Sequence, residues 1–207
     1  MNHGLGSGLA RGVKIFMNQK AKEILGDYTA FYALQRQRLQ NLGIEIDGLA
    51  ISHLAFRTET LAEYLVARQK LEALCAANVE NTWNGNPISK LLLQEPLPLS
   101  QSATTLLIEL IPGGAWDPVW SPDGTPVHQS IYKMGLEHIG IVIGEAFADF
   151  GKLHTHDITG QQVQSEFCQP YFITFSDHTN AKFYRYSLQQ VCILEGKRFD
   201  GFYHELN

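Results

Sequence analysis

Two histidines stand at equivalent places in two short apolar segments of the sequence. The segments "SHLAFR" (52–57) and "EHIGIV" (137–142) each resemble a β-strand with histidine as the second residue. Residues two apart in a strand share a face, so His53 lies beside Ala55 and His138 lies beside Gly140. Valine would stabilise a buried strand better than histidine does, and the repeated placement therefore indicates that the two imidazoles serve a function.

A carboxylate lies inside another apolar segment, "ATTLLIELI" (103–111), which predicts a strand containing Glu109. A buried carboxylate is unfavourable by several kcal/mol unless it is paired or binds a metal. Two histidines and one carboxylate leave coordination positions open for water and substrate, and they suit Fe(II), Mn(II), Zn(II) or Ni(II). The alternative is that both histidines are packed in the core and that Glu109 forms a salt bridge with Arg57.

Arg57 shares the predicted inner face with His53. Its guanidinium could hold a substrate carboxylate through two parallel hydrogen bonds, which makes Arg57 a candidate substrate-binding residue. A structural ion pair with Glu109 or Glu137 is an equally good interpretation.

The order of predicted elements repeats along the chain. Turn residues and hydrophobic periodicity predict β-α-β-β-β twice, so we expect an α+β fold whose two units pair around a shared cleft. The expected divisions are an N-terminal lead and helix (1–48, with the helix at 27–42), a first unit (49–111), a linker (112–134) and a second unit with a C-terminal helix (135–207). The predicted strands are 49–57, 79–83, 88–95, 103–111, 135–143, 162–167, 171–177 and 181–187, and the other predicted helices are 58–78, 145–156 and 187–196.

Composition narrows the class of protein. The 207 residues are 44% hydrophobic and 18% charged, with a net charge of −5, which suits a globular protein without a nucleic-acid or membrane-binding surface. The three cysteines are widely spaced and indicate reduced thiols.

Because no signal peptide is recognisable, we expect a cytoplasmic protein with a small-molecule ligand. The glycine-rich stretch 4–12 lacks the spacing and the preceding strand of a phosphate-binding loop, so we expect a flexible lead, with Met17 as an alternative start.

Five segments, in this order, carry a family resemblance: "HLAFR", "NGNPISKLLLQEP", "LIELIPGG", "LEHIGIVI" and "KFYRYSL". They resemble the YecM-type family of the vicinal oxygen chelate superfamily, which includes glyoxalases, bleomycin resistance proteins and dioxygenases. The resemblance runs from about residue 27 to about residue 195. It implies two paired βαβββ modules that form a cup-shaped barrel, with a divalent metal ion bound by the first and fourth strands. The implied ligands are His53, Glu109 and His138.

The fourth implied ligand position departs from the family pattern, because Tyr184 stands where relatives read "KFH". A phenol with an ordinary pKa near 10 is a poor ligand for most divalent ions. Tyr184 could instead hydrogen-bond a water or the substrate, or ligate oxidised iron, and Tyr186, Glu195 or water could fill the position.

Three classes of function follow from these residues. The first is a metal-dependent isomerase, lyase or dioxygenase acting on a small oxygen-rich metabolite, in which Glu109 or Tyr184 transfers protons. The second is a non-catalytic protein that binds a small ligand in the same cup without metal. The third is a structural or regulatory module in which the three candidate ligands are only packed side chains.

Overall fold

The computed structural model describes residues 17–83, 85–113 and 132–205. The glycine-rich stretch 4–12 and most of the expected linker, residues 114–131, lie outside this part of the chain. Within it, two helices precede the first strand. Helix α1 covers residues 17–25 and was not predicted, whereas α2 (Tyr28–Asn41) matches the predicted helix. Asp27 caps α2 by accepting a hydrogen bond from the Ala30 N–H at 3.2 Å. Gly43 follows the helix with a φ of 74°, a backbone conformation that glycine adopts easily.

In the described part of the chain, nine strands form one continuous sheet with the order β6-β7-β8-β5-β1-β4-β3-β2-β9. The strands are β1 (Ile51–Arg57), β2 (Cys75–Trp83), β3 (Asn86–Pro98), β4 (Thr104–Ile111), β5 (Gly135–Val142), β6 (Gly160–Gln161), β7 (Tyr171–Thr174), β8 (Asn180–Tyr184) and β9 (Phe202–Tyr203).

The strand order confirms the repeat. Strands β1 and β5 pair in antiparallel orientation at the centre, and each then pairs in parallel with the last strand of its own unit, β4 or β8. Outward from the centre, the order β1-β4-β3-β2 matches β5-β8-β7-β6. The fold is therefore α+β with two paired βαβββ units and an N-terminal helical segment. Among the described residues the sheet stays open, with β6 and β9 at its edges.

Three further helices lie within the described residues: α3 (Leu61–Glu72), α4 (Phe147–Leu153) and α5 (Leu188–Leu194). Thr60 caps α3, and Ser187 forms a capping box with Gln190 at the start of α5. Both α3 and α4 are shorter than predicted. After α3 the chain enters β2 at Cys75 because residues 75–83 pair with β3, and a 3-10 turn at Gly144–Ala146 precedes α4. Among the described residues, no helix is long and apolar enough to cross a bilayer.

The predicted strand at 162–167 does not form. Its alternating pattern is overridden by a turn in which the hydroxyl of Ser165 accepts hydrogen bonds from the N–H groups of Phe167 and Cys168. The corresponding strand is β6, two residues long and earlier in the chain.

The two faces of the sheet have different environments. One face packs on α1, α2 and α3 through the main hydrophobic core, which includes Leu54, Ile108 and Ile139. Because side chains alternate along a strand, the residues next to these three in sequence point to the other face. That face carries the candidate site, and its apolar residues form two small clusters, one of Ala55, Ile88 and Ile111 and one around Tyr184 that includes Cys168 and Val191.

Candidate metal centre

The three candidate ligands lie on three adjacent strands at the centre of the sheet. His138 is on β5, His53 on β1 and Glu109 on β4. Ala55 of β1 pairs with both His138 and Glu109, so these two side chains flank β1 on one face, and His53 projects from the same face two residues earlier. Both histidines are fully buried and Glu109 is nearly so.

The structure brings the potential ligand atoms together. His53 Nε2 and His138 Nε2 are 3.1 Å apart. Glu109 Oε2 is 3.2 Å from His138 Nε2 and 3.6 Å from His53 Nε2. Within the residues that the structure describes, His53, Glu109 and His138 form the one group of three or more His, Cys, Asp or Glu side chains whose potential ligand atoms all lie within 4.8 Å of one another.

The dimensions of this triangle fit one metal ion. Ligand atoms about 2.1 Å from an ion lie about 3.0 Å apart at a right angle and about 3.4 Å apart at a tetrahedral angle. The three observed separations fall close to this range, so one ion above the triangle can reach all three atoms. Two imidazoles and one carboxylate on one side of the ion leave its other positions open.

The outer nitrogen of His138 is held by an acidic neighbour. His138 Nδ1 lies 3.1 Å from Glu137 Oε1, and the other oxygen of Glu137 accepts a short hydrogen bond from Arg57 Nε. A neutral histidine whose Nδ1–H donates to a carboxylate presents the lone pair of Nε2 to the site, which is the tautomer a metal ligand needs.

The outer nitrogen of His53 is held in the equivalent way by the residue before it. His53 Nδ1 lies 2.9 Å from Ser52 Oγ, and Ser52 Oγ accepts a hydrogen bond from the N–H of Leu188, the first residue of α5, at 2.7 Å. Ser52 and Glu137 thus occupy equivalent positions in the two units, each within hydrogen-bonding distance of Nδ1 of the histidine that follows it. From the sequence, Glu137 was considered only as a partner of Arg57 and Ser52 was not considered, although "SH" and "EH" already placed a polar residue next to each histidine.

The protonation states of His53 and Glu109 suit metal binding. Burial lowers the pKa of His53 to about 3, so its ring is neutral at physiological pH. Burial alone would raise the pKa of Glu109, but the hydrogen bond with His138 and the electrostatic interactions with His53, His138 and Lys90 outweigh it and lower that pKa. Neutral imidazole and ionised carboxylate are the forms that bind metals.

Tyr184 lies on the same face, with its ring centroid 5.3 Å from that of His53. Burial raises the pKa of Tyr184 well above its ordinary value, so the phenol is neutral. Tyr186 is half-buried and packs beside Cys168 and Tyr184. The carboxylate of Glu195 accepts a hydrogen bond from Ser165 and is not part of the group of mutually close ligand atoms.

Arg57 supports the site indirectly, through its ion pair with Glu137. In addition to Glu137, it donates to the carbonyl of Pro112 at 3.3 Å and lies over the ring of Tyr132. The sequence left two structural interpretations of Arg57, an ion pair with Glu109 and an ion pair with Glu137, and the pair with Glu137 forms. It connects Arg57 to His138 through a single carboxylate.

A cavity of about 100 Å³ opens beside Glu109. Its lining includes a buried lysine that the sequence analysis missed, Lys90, which pairs with Glu109 across strands β3 and β4. Other lining residues are Asn81, Cys168, Cys192, Glu195 and Lys197. A larger cavity of about 610 Å³ lies between α3 and the end of β1, and it contains none of the three candidate ligands. The smaller cavity is lined by one of the three, Glu109, and is therefore the candidate ligand site.

Comparison with known proteins agrees with this fold. A solved structure described as "Structural Genomics, Protein EC4020" aligns with a TM-score of 0.60 and 22% identity, covering 85% of this chain and 93% of the other. This similarity shows that the two proteins share a fold of paired α+β units. The sequence profile of the YecM family, described as "YecM protein", matches residues 20–182. Because this match spans most of the chain, the protein belongs to the YecM family.

Two fosfomycin resistance proteins named FosX also align, each over 68% of this chain and 94% of the other, with TM-scores of 0.22. One is from Mesorhizobium loti at 12% identity, and the other is a mutant protein from Listeria monocytogenes at 11% identity, complexed with Mn(II) and 1S,2S-dihydroxypropylphosphonic acid. TM-scores this low are too weak to support an argument about this chain. No curated protein sequence matches it significantly.

Proposed function

We propose that this protein binds one divalent metal ion through His53, His138 and Glu109 and belongs to the vicinal oxygen chelate superfamily. The observation that carries the proposal is the triangle of two Nε2 atoms and one carboxylate oxygen, with separations of 3.1 to 3.6 Å. The support given to each outer ring nitrogen by Ser52 or Glu137 agrees with it, because metal-binding histidines usually have such a partner. The paired βαβββ units support the superfamily.

The proposed activity is that of an isomerase, lyase or dioxygenase acting on a small oxygen-rich metabolite. A divalent ion with open positions supplies Lewis acidity and a template for two substrate oxygens. In this proposal Tyr184, kept neutral by burial, donates a hydrogen bond or proton to the bound ligand. Glu109 neutralises part of the charge of the ion, and Arg57 holds Glu137 so that the tautomer of His138 is maintained.

A second function is favoured by one specific observation. The three ligand atoms lie within hydrogen-bonding distance of one another or close to it. A proton on one Nε2 would therefore allow the three side chains to hydrogen-bond one another in place of a metal ion. The protein would then be a non-catalytic binder of a small ligand in the same cavity.

Metal analysis of protein purified without a histidine tag separates the two functions. We expect about one equivalent of a transition metal (Zn, Ni, Mn or Fe) after dialysis, with the ion also raising the unfolding temperature because it binds only the folded state. Replacement of either ligand histidine, His53→Ala or His138→Ala, should remove the ion. The control variant His156→Ala changes an exposed histidine and should leave metal content unchanged. Substoichiometric metal in the wild type, with no thermal shift on adding Zn(II), Mn(II), Ni(II) or Fe(II), would refute metal binding and favour the second function.

A further inference from the structure

Lys90 is an unusually buried lysine. Its side chain is only 6% exposed, and lysine is rarely buried to this extent without a charged partner. Its Nζ donates a short hydrogen bond to Asn81 Oδ1 and lies 3.4 Å from the carbonyl oxygen of Ile88. Among the residues that the structure describes, no carboxylate lies within ion-pair distance of Lys90, although it lines the same cavity as Glu109.

The charge of the cavity depends on whether metal is bound. Its lining contains two lysines, Lys90 and Lys197, and two glutamates, Glu109 and Glu195. When all four groups are ionised their charges cancel, so a bound divalent ion leaves the cavity with an excess of two positive charges. Burial lowers the pKa of Lys90, and the nearby carboxylate of Glu109 opposes that effect. A partly enclosed site with this excess favours an anion, because Coulomb interactions are stronger there than in bulk water.

We infer that the ligand of this cavity carries an anionic oxygen group, a phosphate or carboxylate, that Lys90 binds next to the metal ion. The inference rests on the proposed metal site, which supplies the excess charge. A lysine binds such a group as a point charge with three donors, and Nζ of Lys90 has only neutral acceptors as partners.

The size of the cavity limits the ligand. A volume of about 100 Å³ corresponds to roughly three or four water molecules at about 30 Å³ each, well below the 300–1,000 Å³ typical of drug-sized ligands. The ligand is therefore a small anion, or its anionic group is the part that enters the cavity.

The competing explanation for Lys90 is that it only balances the charge of Glu109, its cross-strand partner. Under that explanation, replacing Lys90 changes the affinity for metal and has no effect on anions.

The test uses the full chain and inorganic phosphate as the probe. Metal affinity is measured first, and phosphate is then titrated by calorimetry into metal-loaded and metal-free protein. We expect phosphate to bind the metal-loaded form, and Lys90→Met to weaken that binding by about tenfold or more while the variant still binds metal. The control Lys152→Met changes an exposed lysine (79% exposed) paired with Asp149 and should bind phosphate normally. Lys197→Met, at a less buried position, provides a second variant of the same cavity in case Lys90→Met fails to fold.

The outcomes distinguish this inference from the proposed function. Metal binding without phosphate binding overturns the inference and leaves the proposed metal site intact. The same holds for equal phosphate affinity in the wild type and in Lys90→Met, or in Lys197→Met where Lys90→Met does not fold. Absence of metal binding refutes the proposed function. In that case phosphate binding to the metal-free protein that Lys90→Met abolishes would still support an anion site, and no phosphate binding would overturn it.

Discussion

Gly140 of β5 lies directly opposite His53 of β1, so close to its imidazole that no side chain fits between them. A Cβ atom added at Gly140 would lie 2.3 Å from Cε1 and 2.5 Å from Nδ1 of the His53 ring. The two residues are paired in the register of the antiparallel strands. The orientation of the His53 ring therefore depends on a glycine in the other unit of the repeat.

Replacing this glycine should weaken both metal binding and the stability of the fold. Gly140→Ala pushes the His53 ring from its place, and we expect metal affinity to fall at least about tenfold, or about 1.4 kcal/mol. Overpacking of this kind is unfavourable to folding by about 1–3 kcal/mol. Competition against a chelator at fixed pH measures the first effect, and urea unfolding measures the second. The control is Gly201→Ala, whose added Cβ would make an ordinary contact 3.6 Å from the ring of Tyr203. Unchanged metal affinity in Gly140→Ala would exclude His53, in its observed orientation, as a ligand.

The side chain at position 184 should control the fourth coordination position. Tyr184→His offers an imidazole, a far better donor than a neutral phenol, and should strengthen metal binding by about tenfold, or about 1.4 kcal/mol. Glu109→Gln should act oppositely because it removes the negative charge facing the ion. Chelator competition reads both variants. If Tyr184→His has no effect while Glu109→Gln abolishes binding, Tyr184 lies outside the coordination sphere, and if neither matters, the metal site itself is wrong.

The carboxylate behind His138 should affect metal binding without touching the ion. Glu137→Gln keeps a hydrogen-bond acceptor but loses the charge that favours an Nδ1–H on His138, and we expect metal affinity to fall about 10- to 100-fold. Because Arg57 loses the carboxylate of Glu137, the variant should also be less stable to urea. The matched control is Glu145→Gln, an exposed glutamate paired with Arg185. Wild-type affinity in a folded Glu137→Gln variant would contradict the positioning role.

An ion pair outside the site should make the free energy of unfolding depend on pH. Arg38 of α2 makes two hydrogen bonds of 3.0 Å to Asp177, which lies in the turn between β7 and β8. Partial burial alone would raise the pKa of Asp177, but the hydrogen bonds from Arg38 and Thr179 outweigh it and lower the pKa to about 2 from an ordinary value of 3.8. The stabilisation is therefore fully present above pH 3.8 and is lost as the pH falls through about 2.

Asp177→Asn isolates this contribution. The side chain of Asp177 is 36% exposed, so solvent screening limits the expected loss in unfolding free energy at pH 6 to about 0.2–1 kcal/mol. The difference from the wild type should shrink towards zero near pH 2. Urea unfolding at several pH values provides the measurement, with Asp149→Asn at an exposed ion pair as the control. A difference that stays constant down to pH 2 would show that the ionisation of Asp177 is not its source.

Local sequence determined the elements and the direction of the key side chains. The caps at Asp27 and Ser187 and the apolar strands β1, β4 and β5 follow from short-range patterns, and strand alternation places His53, Glu109 and His138 on faces without reference to the rest of the chain. The repeated order of elements also predicted that the two units pair. These properties depend on residues a few positions apart, which is why the sequence alone reveals them.

Tertiary structure decided which of these side chains meet and what supports them. The triangle exists because β1 pairs with β4 on one side and with β5 on the other, contacts between residues more than fifty positions apart in the chain. The hydrogen bond from the N–H of Leu188 in α5 to Ser52 and the contact of Gly140 with His53 arise from the same packing. Strand β9 forms by pairing with the edge strand β2. The predicted strand at 162–167 is replaced by a turn that Ser165 stabilises. Distances of this kind depend on strand register and long-range packing, which local patterns do not encode.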